Sequence, residues 1–231
     1  MSIEGLRRPR APRGSGDRLR EEILDAATDL LLETGRARGV SIRSVARRVG
    51  VTPPSIYLHF ADKEALLDAV CARHFDKLDA DMRRAAEQPC PVDALRAQGL
   101  AYFRFAARTP ELYRIATMRE WLFAGDVDAT LEASVLQHLR ASALRLMDDG
   151  ILLADDPTRV ALQLWSAVHG VAAMVIAKPH LPFGDAEAFA DRILCSVFCG
   201  QVVIGYCDTD ATPQKLAAWV AAHRQSEDPW R

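Results

Sequence analysis

A chain of 231 residues holds one large domain or two small ones, and 49% hydrophobic with 26% charged residues is the composition of an ordinary folded protein. The net charge of −2 would argue against a polyanion partner if charge were spread evenly. It is not: residues 1–60 hold 11 Arg against 7 Asp and Glu, a net of +4, while the remaining 171 carry a net of −6. A basic end on an acidic body is the pattern of a protein that meets nucleic acid at one end only.

Residues 1–17 are rich in Arg, Pro, Gly and Ser, show no periodicity and lack the apolar core of a signal peptide, so they are expected to form a disordered basic arm. Arg7, Arg8, Arg10 and Arg13 suit two readings: an arm folding into a minor groove, or a solvated tail adding non-specific attraction. Residues 18–61 carry short helical patterns broken by Gly and Pro, and residues 62–231 carry longer ones.

The first helix is expected over about Asp17–Thr34, where Leu19, Ile23, Ala26, Ala27, Leu30 and Leu31 recur at steps of three and four, and Gly35 stops it. Ser41 is a good N-cap for a second helix, with Val40 as a hydrophobic staple. Ile42, Val45, Ala46 and Val49 make its inner face, Arg43, Arg47 and Arg48 lie off it, and Gly50 ends it. A third helix starts with Thr52 as N-cap. Pro53 and Pro54 fill its first two positions, where backbone N–H groups have no intrahelical acceptor, so both prolines are cheap there. Ile56 and Phe60 point inward, which leaves Pro53, Pro54, Ser55, Tyr57, Leu58 and His59 on the flanks and outside. Asp62 caps the fourth helix. Lys63 in its first turn opposes the helix dipole, and a phosphate held at that helix end would account for it.

Two short helices joined by a tight Gly-containing turn make a helix-turn-helix, whose second helix enters the major groove. In that geometry Ser41, Arg43, Ser44, Thr52, His59 and Lys63 reach phosphates, and Tyr57 donates its hydroxyl to a phosphate or packs on a sugar. Pro53, Pro54 and Leu58 offer apolar surface of the kind that meets a thymine methyl. The third helix has no Arg, Lys, Asn or Gln, so base reading leans on Arg43, Ser55 and DNA shape.

Beyond Asp62, helices are expected to about Gln88, over about Asp93–Thr109, from near Pro110, and over about Asp126–Asp149, Pro157–Ala177, Asp185–Tyr206 and Thr212–His223. No strand is expected; "GQVVIGY" sits in a helical context. Val160–Ala177 runs 18 residues without Asp, Glu, Lys or Arg, but Gln163, Ser166, His169 and Gly170 favour a helix buried in a bundle or subunit interface over a membrane span. Tyr102, Phe103, Phe105, Tyr113, Trp121, Phe123 and Trp165, with His169 or Gln163 as polar members, suit either an apolar ligand cavity or plain core. Five cysteines, odd in number and without CxxC spacing, read as free thiols acting as small buried hydrophobes in a reducing cytoplasm. Cys195 and Cys199 share a helix face, but two thiolates alone are a poor zinc site, so no metal and no cofactor is expected. No GxGxxG, P-loop, HExxH or GxSxG is present, which leaves an enzyme without support.

"ILDAATDLLLETG" (23–35) and "SIRSVARRVGVTPPSIYLHFADKEALLDAV" (41–70) resemble the tetracycline-repressor (TetR) family of bacterial one-component regulators, above all in G-V-x-x-x-x-I-Y-x-H-F-x-x-K-E-x-L. "PELYRIA" (110–116) and "LWSAVHGVAAM" (164–174) look like the sensor half of one branch of that family. The resemblance implies an all-α fold, with an N-terminal three-helix DNA-binding domain and a larger C-terminal helical domain for ligand binding and dimerisation. It also implies a cytoplasmic homodimer joined by the last two long helices, and repression at double-stranded operator DNA relieved by a hydrophobic small molecule. Thr52, Tyr57, His59 and Lys63 match family positions that touch the DNA backbone, and Pro53, Pro54 and Ser55 match positions that face bases. The doubled proline is a departure at the start of the reading helix.

Overall fold

The computed structural model describes residues 16–117, 126–207 and 212–224. Ten α-helices and one 3-10 turn, with no strand, make up the described residues. They run α1 (Gly16–Thr34), α2 (Ile42–Val49), α3 (Pro53–Tyr57), α4 (Lys63–Ala86), α5 (Pro91–Arg108), α6 (Pro110–Thr117), α7 (Asp126–Asp148), α8 (Pro157–Ala177), α9 (Ala186–Cys207) and α10 (Pro213–Arg224), with the 3-10 turn at Ala37–Gly39. The "GQVVIGY" stretch is helical, within α9. The basic arm lies outside the described residues.

The chain forms two compact units. One takes the described residues up to Ala80 together with those of Phe105–Ala133, and the other takes Asp81–Arg104 and the residues from Ser134 on. In the first unit α1 packs on α2 and α2 on α3. Its core draws on the stripes expected from the sequence: Ile23, Leu24, Ala27 and Leu31 of α1, Val45 and Ala46 of α2, and Ile56 with Phe60 are all buried. Three arginines tie it together. Arg48 of α2 donates to both carboxylate oxygens of Glu33 at 3.0 and 2.6 Å. Arg73 of α4 donates to Asp25 Oδ1 at 2.8 Å and to the Thr28 hydroxyl at 3.1 Å on α1. The Arg20 guanidinium lies 5.4 Å from the centroid of the Phe60 ring, a cation–π arrangement.

In the second unit α8 and α9 form an extensive helix pair. Arg96–Asp191, at 2.5 and 2.7 Å, and Arg104–Glu187 tie α5 to α9 at two levels. Between them Gly99 is the close approach: a Cβ there would sit 2.6 Å from Leu194 Cδ1. Ser142 of α7 donates to Gln98 Oε1 at 2.7 Å, and Gln98 Nε2 donates to the Met82 carbonyl at 3.4 Å, so this buried polar pair is hydrogen-bonded as it must be. By length and composition α8 and Ala186–Gly205 of α9 could each cross a membrane, with mean hydropathies of 1.7 and 1.5. The two pack on each other. The cysteine expectation is corrected in part: Cys71 is buried, but Cys90, Cys195 and Cys199 are exposed. The latter two sit on α9, only 11% of whose apolar window is covered within one chain.

Candidate nucleic-acid interface

Ser41, with φ −137° and ψ 152°, enters α2 from extended backbone and closes a capping box with Ser44. Ser41 Oγ accepts from the Ser44 N–H at 3.1 Å, and Ser44 Oγ accepts from the Ser41 N–H at 2.9 Å. Ser44 also donates to the Ser41 carbonyl at 2.8 Å, and the two hydroxyls lie 3.0 Å apart. Both hydroxyl protons are therefore spent inside the cap. Val40 and Val45, the two ends of the expected staple, are buried. Gly50 ends α2 at φ 78°, in the left-handed region that a side chain resists, and its N–H donates to the Ala46 carbonyl.

Thr52 is the N-cap, with the extended backbone expected of it, φ −90° and ψ 151°, although its side chain makes no cap hydrogen bond. Pro54 removes the N2 donor, and the N3 donor, the Ser55 N–H, goes to the Thr52 carbonyl, so the Thr52 hydroxyl pairs with Ser55 Oγ at 3.1 Å. Leu58 continues the helical backbone, φ −69° and ψ −20°. The short rod then has two faces. Ile56 and Phe60 are buried, whereas Pro54, Tyr57 and Leu58, spaced i, i+3, i+4, are exposed together; Tyr57 is 54% and Leu58 84% exposed. Pro53, Ser55 and His59 are half-buried at the flanks. Asp62 caps α4 as expected, its Oδ1 accepting from the Ala65 N–H at 2.7 Å, and Lys63 follows in the first turn.

Between Arg36 and Lys63 the chain carries six cations and one carboxylate, the capping Asp62. Arg48 is withheld by Glu33, whose carboxyl that hydrogen bond holds below the ordinary carboxylate range. Arg36, Arg38, Arg43 and Arg47 are exposed, and among the described residues neither they nor Lys63 has an ion-pair partner. The structure thus brings Thr52, Pro53, Pro54, Ser55, Tyr57 and His59 onto one stub bordered by cations, with Arg43 on the exposed side of α2. Arg36 and Arg38, in and beside the 3-10 turn, were not singled out in the sequence; their signal was the want of nearby acids.

The aromatic set does not stay together. Tyr102 donates to or accepts from His169 Nδ1 at 2.9 Å, and Trp165 stands edge-on to both rings, 6.5 Å from Tyr102 and 6.3 Å from His169. The Trp165 Nε1–H is buried and meets no acceptor among the described residues. Phe103 is buried in the same unit. Phe105 instead packs on Phe75 in the first unit, at 5.7 Å, and Tyr113 is buried there. Trp121 and Phe123 lie outside the described residues. The second unit also has an apolar cleft of about 40 Å³ among Leu95, Leu164, Leu194 and Phe198.

A three-helix head with an exposed, cation-bordered reading helix, joined to a larger all-helical unit, is the architecture of a helix-turn-helix transcription regulator. The family model for bacterial regulatory proteins of the tetR family matches residues 23–70, and that for the tetracyclin repressor-like C-terminal domain matches residues 95–197. The chain belongs to the tetracycline-repressor family of transcription regulators. It is 44% identical over 61 residues to the class D tetracycline repressor protein of Escherichia coli, a match covering 25% of this chain and 28% of that one. It is 30% identical over 137 residues to the transcriptional activator FasR of Mycolicibacterium smegmatis, covering 56% of this chain and 62% of that one. The chain therefore spans less than two thirds of the length of either curated relative. The structure of SmeT, repressor of the Stenotrophomonas maltophilia multidrug efflux pump SmeDEF, superposes with a TM-score of 0.63 at 25% identity, covering 78% of this chain and 89% of that one.

Proposed function

We propose that this regulator is a cytoplasmic homodimer that represses transcription from a near-palindromic operator and leaves it when a hydrophobic small molecule enters the second unit. The observation that carries the reading is the exposed outward face of α3, set among Arg36, Arg38, Arg43, Arg47 and Lys63, which have no ion-pair partner among the described residues. Lys63 and the free N–H groups at the start of α4 converge on one phosphate, with Arg43, Thr52, Tyr57 and His59 as further backbone contacts. Ser41 and Ser44 act mainly by holding α2, since their protons are already donated within the cap. The functional division falls near Asp62, with residues 18–61 reading DNA and residues 62–231 sensing and pairing.

The uncovered apolar face of α9, beside α8, supports pairing with a second copy, which would set two heads about one DNA turn (~34–36 Å) apart. For the ligand, the support is the buried Trp165 Nε1–H, without an acceptor among the described residues, next to the Tyr102–His169 pair. An apolar molecule bearing one hydrogen-bond acceptor would satisfy it. Likeness to two repressors favours repression, and FasR, an activator, is the counterexample. Binding should be measured against a random duplex pool by fluorescence anisotropy across a salt series, then repeated with metabolite extract. Affinity that falls steeply with salt and drops again with extract is the expected result. Salt-independent or absent binding would refute the DNA reading, and a reporter that rises when the regulator is supplied would refute repression.

A further inference from the structure

The reading surface has an unusual chemistry for a sequence-specific protein. Side chains that discriminate bases do so mostly by paired hydrogen bonds, and α3 offers none of the residue types that make them. Its neighbouring hydroxyls are largely engaged: Ser41 and Ser44 donate inside the cap, and Thr52 and Ser55 share one hydrogen bond of 3.1 Å, which leaves a single proton between them. What the helix does present is Pro54, Tyr57 and Leu58 side by side, with Leu58 84% exposed. Leu58 supports no core, because Ile56 and Phe60 occupy the inward positions of the same turn. Single exposed leucines are ordinary, but three contiguous apolar faces inside a strongly basic border are an interaction surface whose partner is an anion with apolar features.

In the major groove of duplex DNA the only apolar group at a base edge is the C5-methyl of thymine. Resting on the DNA-binding reading above, we infer that Leu58, with Pro54, selects operators by contact with pyrimidine C5-methyl groups, and that Leu58 is the specificity-determining residue of the head. The cations then fix the head on the phosphates, and the methyl contact fixes its register. The protein should tell thymine from uracil at the positions under α3. Because the Leu58 contact is made to the C5-methyl, which 5-methylcytosine shares with thymine, 5-methylcytosine should replace thymine better than cytosine does. Cytosine C5-methylation would then create binding sites instead of destroying them.

The test uses the full chain and duplexes it selects from a random pool. Thymines of the selected site are replaced one at a time by deoxyuridine, which deletes only the methyl, and affinity is read by anisotropy. At one or more positions each lost methyl should weaken binding about fourfold, the value of one buried carbon. Leu58→Ala should erase that thymine preference, bringing the thymine and uracil sites to equal affinity, and Leu58→Met should keep the preference. Leu58 is exposed, so neither variant threatens the fold. If thymine and uracil sites bind alike at every position, or if Leu58→Ala keeps the full ratio, the inference is overturned while DNA binding stands. No salt-dependent binding to any duplex would overturn both.

Discussion

Two cations in the head differ in a way that a salt titration can read. Lys63 stands at the start of α4 without an ion-pair partner among the described residues, whereas Arg48 is gripped by both oxygens of Glu33. If Lys63 neutralises one phosphate, replacing it removes about 0.9 from the slope of log affinity against log salt, per head. Between roughly 50 and 200 mM salt that contact is worth about 3.5-fold per head, or about 12-fold for two heads on one operator. The gap between wild type and Lys63→Ala should therefore be widest at low salt and shrink by that factor across the series, for specific and random duplexes alike. Arg48→Ala should leave the slope where it is, since its charge is already balanced by Glu33. Anisotropy titrations at four or five salt concentrations, with circular dichroism to confirm folding, are sufficient. Parallel slopes for wild type and Lys63→Ala would refute the phosphate assignment. A slope that flattens as much for Arg48→Ala as for Lys63→Ala would show that the Glu33 pair does not withhold the arginine.

Other outcomes concern the scaffold. Gly50→Ala meets no atom within 4 Å, so its cost is pure backbone strain at φ 78°, about 1–2 kcal/mol of head stability in urea unfolding; a neutral result would contradict that backbone. Ser142→Ala strands the buried Gln98 Oε1 and should destabilise the second unit by about 1–3 kcal/mol, whereas an unchanged melt would mean that the pair is not buried as described. His74 donates from Nδ1 to the Val70 carbonyl, and burial, helped by Lys77 and Arg73, holds its imidazole below the ordinary range. A depressed histidine leaves stability intact above its unfolded value of about 6.5 and erodes it as pH falls further, because only the unfolded chain takes up the proton freely. Melts from neutral to mildly acidic pH should show that slope, and His74→Leu should lose His74's share of it.

The helices were legible because their punctuation is local. Ser41, Gly50, the two prolines and Asp62 each act on the backbone within one turn, and the expected bounds of α2 and α8 and the expected start of α3 match the observed ones. Thr52 is the N-cap expected, but its side chain makes no cap bond for an equally local reason: Pro54 lacks the N2 donor and the Ser55 N–H goes to the Thr52 carbonyl. What was not legible is which helices meet. Arg48–Glu33 and Arg73–Asp25 join residues 15 and 48 apart, and Tyr102–His169 residues 67 apart. Periodicity gives each side chain a face but no neighbour, so a single list of aromatics merged Phe105, which packs on Phe75, with the Tyr102–Trp165–His169 group. The exposed cysteines escaped for a related reason, since the apolar character of α9 is plain in its residues but its lack of cover within one chain is not.

The two-faced build of α3 has an evolutionary corollary. Ile56 and Phe60 hold the rod to its scaffold, and the twin prolines set its start, while the Leu58 side chain stands almost clear of the chain. Substitutions at Leu58 are thus close to free of folding consequences, so on the proposed reading the DNA address drifts by a single codon change while the frame beneath it is inherited intact.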